Sequence, residues 1–119
     1  MAETSRAVVI EDDDDVRGLI EAVLTAAGMD VIGVADGPAG IDAVREQQPD
    51  LVVLDYGLPH MDGAEVARII RGLSQVPILL LTAREDLVEA LPPDVDAAMA
   101  KPFTVSDLQQ RAQALLDAR

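Results

Sequence analysis

Charged residues follow three of the short apolar segments in this chain. Lys101, the only lysine, follows one of them, whereas Glu11 and Asp12 follow a second and Asp55 follows a third. If these segments are parallel strands of one sheet, their charged ends meet at its carboxyl edge, where open α/β folds bind ligands. Carboxylates that converge beside one ammonium group could hold a divalent cation and take part in phosphoryl transfer. The three segments are residues 7–10, 51–54 and 97–100.

Metal and phosphoryl chemistry would give each of these residues a role. Three adjacent carboxylates repel one another, so at least one pKa rises unless a cation neutralises them. Oxygen ligands with no His or Cys nearby favour Mg²⁺, which makes Glu11, Asp12 and Asp55 candidate ligands. Asp55 would also be the nucleophile. Lys101 and the hydroxyl of Thr82, which ends a fourth apolar run, would bind the phosphoryl oxygens.

The acidic run continues through residues 13–15, and these three have a sufficient structural explanation. Acidic residues that precede a helix cap its free N–H groups and interact favourably with its dipole. Glu11 and Asp12 lie instead at the end of a predicted buried strand, where an uncompensated carboxylate is costly. We therefore treat only Glu11 and Asp12 as functional candidates within the run.

The elements that must position these residues alternate along the chain. Apolar runs and helical patterns alternate five times, which indicates βα units wound into a parallel sheet within a single domain of residues 1–119. We predict the second strand at residues 29–34 and a weakly apolar fifth strand at an edge, residues 96–100. The fourth helix should be short, residues 85–91, because prolines 92–93 prevent its extension.

Composition limits the partners of the chain. The formal net charge of −13 on 119 residues would repel nucleic acid and anionic membranes, so neither is an expected direct partner. The chain lacks cysteine, its first residues lack the pattern of a secretory signal, and no apolar stretch is long enough to span a bilayer. We therefore expect a cytoplasmic protein.

Five motifs in this order resemble those of the response-regulator receiver domain, the phosphoacceptor module of two-component signalling. The resemblance covers nearly the whole chain. It implies a flavodoxin-like (βα)5 doubly wound sandwich with strand order 2-1-3-4-5. The motifs are residues 9–13 (VIEDD), 50–55 (DLVVLD), 58–63 (LPHMDG), 81–83 (LTA) and 101–103 (KPF).

The resemblance also implies a role for each site residue. Asp55 would accept a phosphoryl group from a histidine kinase or a histidine phosphotransfer protein. Asp12 would bind Mg²⁺ directly, Glu11 mainly through water, and Gly57 through its backbone carbonyl. Thr82 and Lys101 would engage the phosphoryl oxygens, and the bond between Lys101 and Pro102 would be cis. The domain would not be an enzyme beyond its own phosphorylation and dephosphorylation, and it would act on an unidentified downstream protein.

The chain departs from the family pattern at several positions. Ala98 stands where members usually carry an aromatic residue that turns inward after phosphorylation, so the usual relay from Thr82 cannot operate in its ordinary form. The connection from Thr82 to Lys101 is also shorter than usual. Gly57, two positions after Asp55, has no side chain that could shield a phosphoryl group on that residue. Arg84 could either lean across the phosphoryl group or lie in solvent. His60, the only histidine, has no placed partner and is interpreted as a loop residue.

Three functions are compatible with these features. The leading hypothesis is a phosphorylation-dependent switch of protein–protein interactions, with the fifth strand and last helix as a candidate homodimer surface. A second is a phosphorylation-independent binding module, which Ala98 and the short fourth helix favour. A third is a haloacid-dehalogenase-type phosphohydrolase, because residues 12–16 fit that family's D-x-D-x-[T/V] opening. The lysine on the late strand and the lack of room for a cap domain argue against the phosphohydrolase hypothesis.

Overall fold

Ten elements alternate along the chain, and the computed structural model describes residues 4–118. Each short strand is followed by a helix. The strands are β1 (Arg6–Ile10), β2 (Asp30–Val34), β3 (Leu51–Asp55), β4 (Ile78–Thr82) and β5 (Ala97–Ala100). The helices are α1 (Asp14–Ala26), α2 (Gly37–Gln47), α3 (Gly63–Leu73), α4 (Glu85–Glu89) and α5 (Val105–Asp117).

The strands form one parallel sheet in the order β2-β1-β3-β4-β5, which confirms the flavodoxin-like expectation. Every residue of β3 and β4 is buried, and β5 lies at an edge as predicted. The strand order reverses between β1 and β3, so the loops after these two strands diverge and leave a crevice. The predicted site residues follow the strands at this same edge.

Two apolar cores lie on opposite faces of the sheet, because successive strand side chains point to opposite sides. One core joins the sheet to α2 and α3 and includes Ile10, Leu54, Leu80 and Ala98. The other joins it to α1 and α5 and includes Val9, Val53 and Leu81. Aliphatic side chains on both faces of the strands therefore build a sheet that is covered by helices on both sides, as is typical of parallel sheets.

Capping residues fix the ends of the helices. Asp13 caps α1, where its Oδ1 accepts hydrogen bonds from the amides of Asp15 and Val16 at 2.9 and 3.0 Å. Gly28 follows the end of α1 at φ +93°, a left-handed conformation that glycine adopts without a Cβ clash. The structural explanation offered above for the later part of the acidic run thus applies to Asp13.

The fourth helix is shorter than its sequence pattern predicts. We predicted residues 85–91, but α4 ends at Glu89, and Ala90 already has extended backbone geometry. None of its residues is fully buried, and Val88 packs against the core as a partly buried side chain. The second and fifth strands each begin one residue later than predicted. Among residues 4–118, no helix is long and apolar enough to cross a membrane.

Arg71 ties three segments together at the amino edge of the sheet, opposite the predicted site. Its Nη1 donates to the carbonyls of Ser74 and Val76 at 3.1 and 2.8 Å. Its Nη2 donates to the carbonyl of Asp94 at 3.0 Å and to the carboxylate of Asp96 at 2.8 Å. One planar guanidinium therefore joins the end of α3 to the loops before β4 and β5.

We expect the Arg71→Ala variant to lower the free energy of unfolding by about 2–3 kcal/mol, because it leaves several carbonyls and one carboxylate without their charged donor. Urea denaturation followed by circular dichroism measures the change. Arg68→Ala is the matched control, since this exposed arginine lies on the same helix and carries the same charge. Equal effects of the two substitutions would contradict the role assigned to Arg71.

Candidate functional site

The carboxyl edge of the sheet brings the predicted charged residues together. Asp55 is the last residue of β3 and Thr82 the last of β4, while Glu11 and Lys101 immediately follow β1 and β5. Glu11, Asp55 and Thr82 are the buried polar residues of the described chain, with exposures of 1%, 7% and 2%. Asp12, next in the chain, is exposed. The crevice is therefore lined by buried polar and charged residues, and the carboxylate of Asp12 lies on its solvent-exposed side.

Lys101 links two of the carboxylates. Its Nζ lies 2.6 Å from Glu11 Oε1 and 3.0 Å from Asp55 Oδ1. Burial raises the pKa of Glu11 above the usual value for glutamate, and this effect outweighs the lowering by the Lys101 hydrogen bond. Burial alone would lower the pKa of Lys101, but its bonds to Glu11 and Asp55 outweigh it and hold that pKa above the usual value. The ammonium thus neutralises part of a crowded acidic cluster.

Three of the carboxylates can share one cation. Glu11, Asp12 and Asp55 each offer an oxygen, and these oxygens lie within 4.8 Å of one another. No other such cluster occurs within residues 4–118. A set made only of oxygens fits a hard divalent ion such as Mg²⁺. The donor chemistry therefore agrees with the metal ligands predicted from the sequence.

The loop after β3 fixes the backbone of the nucleophile candidate. The amide of Tyr56 donates to the carbonyl of Leu81 at 2.9 Å, and the amide of Gly63 donates to the carbonyl of Tyr56 at 2.7 Å. A Cβ on Gly63 would lie 2.6 Å from Tyr56 Cα and 2.8 Å from the carbonyl oxygen of Asp55. Gly57 is exposed in this loop, and a Cβ at that position would meet nothing within 4 Å. The space beside the nucleophile candidate is therefore open at this position, as expected from the sequence.

A backbone hydrogen bond joins the end of β4 to the first residue after β5. The amide of Lys101 donates to the carbonyl of Thr82 at 2.8 Å, and the bond between Lys101 and Pro102 is cis, as the resemblance implied. The Thr82 Oγ1 accepts a hydrogen bond from the amide of Arg84 at 3.0 Å. Because a hydroxyl accepts and donates at once, its proton is still available to a ligand.

Arg84 is exposed to solvent, which is one of the two positions considered from the sequence, and it contacts Tyr56 and Asp86. Its Nη1 donates to the hydroxyl of Tyr56 at 3.2 Å, and its guanidinium carbon lies 5.5 Å from the centre of that ring. Asp86 holds the same guanidinium at 2.7 and 3.2 Å. Tyr56 and Arg84 are 28 residues apart in sequence, so no local pattern could have indicated this pair. The arginine borders the site by stacking on Tyr56.

The position of the usual aromatic residue is occupied by a buried alanine. Ala98 is 3% exposed and belongs to the core on the face of the sheet that carries α2 and α3. A surface cavity of about 250 Å³ lies beside it, between β5 and α5, with Val88 and Phe103 among its lining residues. No large side chain can turn into this space from position 98. The alanine that departs from the family pattern is therefore a buried residue beside an open cavity.

Comparisons with known proteins agree with this geometry. A family model described as the response regulator receiver domain matches residues 7–113. The transcriptional regulatory protein AfsQ1 of Streptomyces coelicolor is 45% identical over 112 residues, 92% of this chain and 50% of that protein. The DNA-binding response regulator MtrA of Mycobacterium tuberculosis is 40% identical over 114 residues, 93% of this chain and 50% of that protein. The chain thus spans about half the length of the curated relatives it matches.

A solved structure provides the same comparison at the level of the fold. The receiver domain of the sensor histidine kinase PA1611 from Pseudomonas aeruginosa PAO1, which has a magnesium ion coordinated in its active site cleft, is 29% identical. It matches with a TM-score of 0.82 over 97% of this chain and 99% of that chain. Since the family model extends from β1 into α5, the chain belongs to the response-regulator receiver-domain family.

Proposed function

We propose that Asp55 accepts a phosphoryl group from the phosphohistidine of a histidine kinase or a histidine phosphotransfer protein. The observation that supports this most strongly is the convergence of Asp55 with the carboxylates of Glu11 and Asp12 and the ammonium of Lys101 at one edge of the sheet. Such an arrangement suits phosphoryl transfer, in which catalysis consists mainly of positioning and charge neutralisation. The domain then acts as a phosphorylation-dependent switch of protein–protein interactions.

The transfer is a substitution at phosphorus. A carboxylate oxygen of Asp55 forms the new bond to phosphorus, the bond from phosphorus to the imidazole nitrogen of the donor breaks, and the imidazole leaves with the electron pair. Lys101, which already contacts Asp55, neutralises charge on a phosphoryl oxygen as a point charge. The Thr82 hydroxyl donates to another oxygen while it accepts from the amide of Arg84.

Glu11, Asp12 and Asp55 would hold Mg²⁺, with the carbonyl of Gly57 as a further ligand. When bound, the ion supplies electrostatic neutralisation of the phosphoryl oxygens. The chain itself contributes two buried carboxylates, since Glu11 is 1% exposed and Asp55 is 7% exposed. Burial strengthens the electrostatic interactions of these groups. Asp12, which is exposed, lies where a cation can enter from solvent.

The net charge of the chain bears on the kind of partner that the domain binds. A net charge of −13 argues against direct binding of nucleic acid by this domain, although two relatives are named as a transcriptional regulator and a DNA-binding regulator. Those relatives are about twice as long as the segment they share with this chain. We therefore propose a protein as the downstream partner of the receiver domain. We also propose β5 with α5 as the surface of a homodimer, because β5 is an edge strand of the sheet.

Treatment with a small phosphodonor tests the proposal. Incubation with acetyl phosphate or phosphoramidate and MgCl₂ should add one phosphoryl group to the protein, as measured by intact mass spectrometry, because Asp55 is activated by its neighbours. The Asp55→Asn variant should gain none, and excess EDTA should suppress the reaction in the unmodified protein. An adduct that survives Asp55→Asn would assign the phosphoryl group to another residue and contradict the proposal.

The buried Ala98 favours a second candidate, a receiver-like module that binds its partner without phosphorylation. This side chain has no rotamer that could report the state of Thr82. Amide NMR spectra with Mg²⁺ and beryllofluoride distinguish the two candidates. A switch should shift the resonances between Thr82 and Lys101, whereas unchanged resonances there would favour the constitutive module.

A further inference from the structure

Arg17 lies behind the acidic loop, on the second turn of α1, and none of the roles proposed above involves it. Its side chain is only 20% exposed. The Nη1 atom donates to the backbone carbonyl of Glu11 at 3.0 Å, and Nη2 contacts Asp14 Oδ1 at 2.7 Å. The Nε atom lies 3.8 Å from Glu21 Oε1. One planar guanidinium is thus held on three sides by acceptors from the loop and from its own helix.

The hydrogen bond to the Glu11 carbonyl constrains the peptide that leads into Asp12. A peptide unit is planar, so fixing the direction of its carbonyl also fixes its amide and the next Cα. The following peptide is held as well, because the amide of Asp13 donates to Glu11 Oε2 at 3.2 Å. Asp12 is therefore flanked by two constrained peptides, although its own side chain is exposed.

The support of Arg17 extends to the edge of the sheet. A Cβ on Gly33, in β2, would lie 2.7 Å from both Cδ and Oε2 of Glu21. The bare glycine therefore lets the Glu21 carboxylate lie against the strand, behind the guanidinium of Arg17. Gly33 pairs with Val9 of β1 in the parallel register. The strand that leads into the acidic loop, β1, is thus paired with the strand that lies against the Glu21 carboxylate, β2.

We propose that Arg17 is a positioning residue that orients Asp12 for binding of the divalent cation, an inference that rests on the metal site of the proposed function. Its charge alone would act in the opposite direction, because a guanidinium near a cation site repels the cation. The net benefit must come from the constrained carbonyl of Glu11. Outer partners of metal ligands commonly change metal affinity by roughly 10–100-fold when they are removed.

A substitution that conserves charge separates the two effects. We expect Arg17→Lys to weaken Mg²⁺ binding by roughly ten-fold in isothermal titration calorimetry, because lysine keeps the charge but loses the planar fork that reaches Glu11 and Asp14 together. The amide resonances of Asp12 and Asp13 should broaden or shift in the metal-free variant. Arg45→Lys is the matched control, since Arg45 pairs with Asp42 three residues earlier on α2 at 3.1 Å.

Gly33→Ala provides a second variant that leaves Arg17 intact. The three atoms nearest to the added methyl group would all belong to the end of the flexible Glu21 side chain, so the fold should tolerate the substitution while the support of Arg17 is displaced. Mg²⁺ affinity should fall in the same direction as in Arg17→Lys, by a smaller factor. Thermal unfolding in EDTA should show that Arg17→Lys and Arg45→Lys are both folded at the titration temperature, so that a loss of affinity in Arg17→Lys alone is not a consequence of unfolding.

The outcomes distinguish this inference from the proposed function. Wild-type Mg²⁺ affinity in Arg17→Lys, or an equal loss in Arg45→Lys, would overturn the positioning role while the metal site stands. Failure of the unmodified protein to bind Mg²⁺ would overturn the metal site and the positioning role together. Selective loss of affinity in Arg17→Lys, accompanied by a smaller loss in Gly33→Ala, would support the inference.

Discussion

Replacement of Lys101 by methionine is expected to lower the free energy of unfolding in EDTA by about 3 kcal/mol. Methionine keeps an unbranched side chain but removes the ammonium that lies 2.6 Å from Glu11 and 3.0 Å from Asp55. Glu11 is 1% exposed, so water cannot replace the lost partner. The expected value lies at the lower end for a broken buried ion pair because the lysine side chain is 25% exposed.

The loss should depend on pH in a defined direction. Burial raises the pKa of Glu11 in the folded protein, and the Lys101 bond that opposes this effect is absent from the variant, so its pKa should rise further. Between the unfolded and folded pKa values, the folded state binds more protons than the unfolded state. The free energy of unfolding therefore falls as pH rises through this window. Urea denaturation from mildly acidic to neutral pH should show a larger fall for Lys101→Met than for the wild type.

A double substitution is the control for this prediction. Glu11→Gln combined with Lys101→Met removes the buried carboxylate together with its partner, and most of the lost stability should return. Added Mg²⁺ should also stabilise Lys101→Met more than the wild type, because a cation can take over the neutralising role. Additive effects in the double-mutant cycle, or a variant whose stability does not change with pH, would contradict the assigned coupling.

Gly63→Ala is expected to destabilise the fold by about 2–3 kcal/mol, the typical cost of inserting a methyl group where the surroundings cannot yield. The new Cβ would lie 2.6 Å from Tyr56 Cα and 2.8 Å from the Asp55 carbonyl oxygen. Both are backbone atoms, so no rotamer change can relieve the contact. The chain must shift around the nucleophile instead. Chemical denaturation measures the stability, and the phosphodonor assay described above should show slower modification of the variant.

Gly72→Ala on the same helix is the matched control. A Cβ at Gly72 meets nothing within 4 Å, and alanine is favoured over glycine in a helix by up to about 1 kcal/mol. The two substitutions add the same methyl group to α3 and should change stability in opposite directions. A similar change in both variants would mean that the close approach of Gly63 to the loop after β3 carries no energetic weight.

Much of the site could be predicted from the sequence because its residues terminate apolar strands. Parallel strands bring their carboxyl ends to one edge, so Glu11, Asp55 and Lys101 could be grouped before any coordinates were known. The order of the strands, by contrast, could not be predicted from the pattern of residues. Patterning indicates five βα units but does not choose among their arrangements, and order 2-1-3-4-5 was predicted from the family resemblance alone.

Contacts that depend on side-chain direction could not be predicted. Tyr56 and Arg84 are distant in sequence and meet only because β3 and β4 are neighbours in the sheet. The bond from Arg17 to the Glu11 carbonyl leaves no trace in a pattern of residue types, since the acceptor is a backbone atom present in every residue. The length of α4 was overestimated because the prolines at residues 92–93 set only the last position that a helix could reach, whereas the helix ends at Glu89.

The stacked pair beside the site has a practical consequence. Tyr56 is the only tyrosine in the chain, and there is no tryptophan. Tyr56 directly follows Asp55 in the chain, and the centre of its ring lies 5.5 Å from the guanidinium carbon of Arg84. Intrinsic ultraviolet fluorescence of the unlabelled protein therefore arises almost entirely from the immediate surroundings of Asp55. The chain contains a native optical reporter, and events at this edge can be followed in real time without an attached dye.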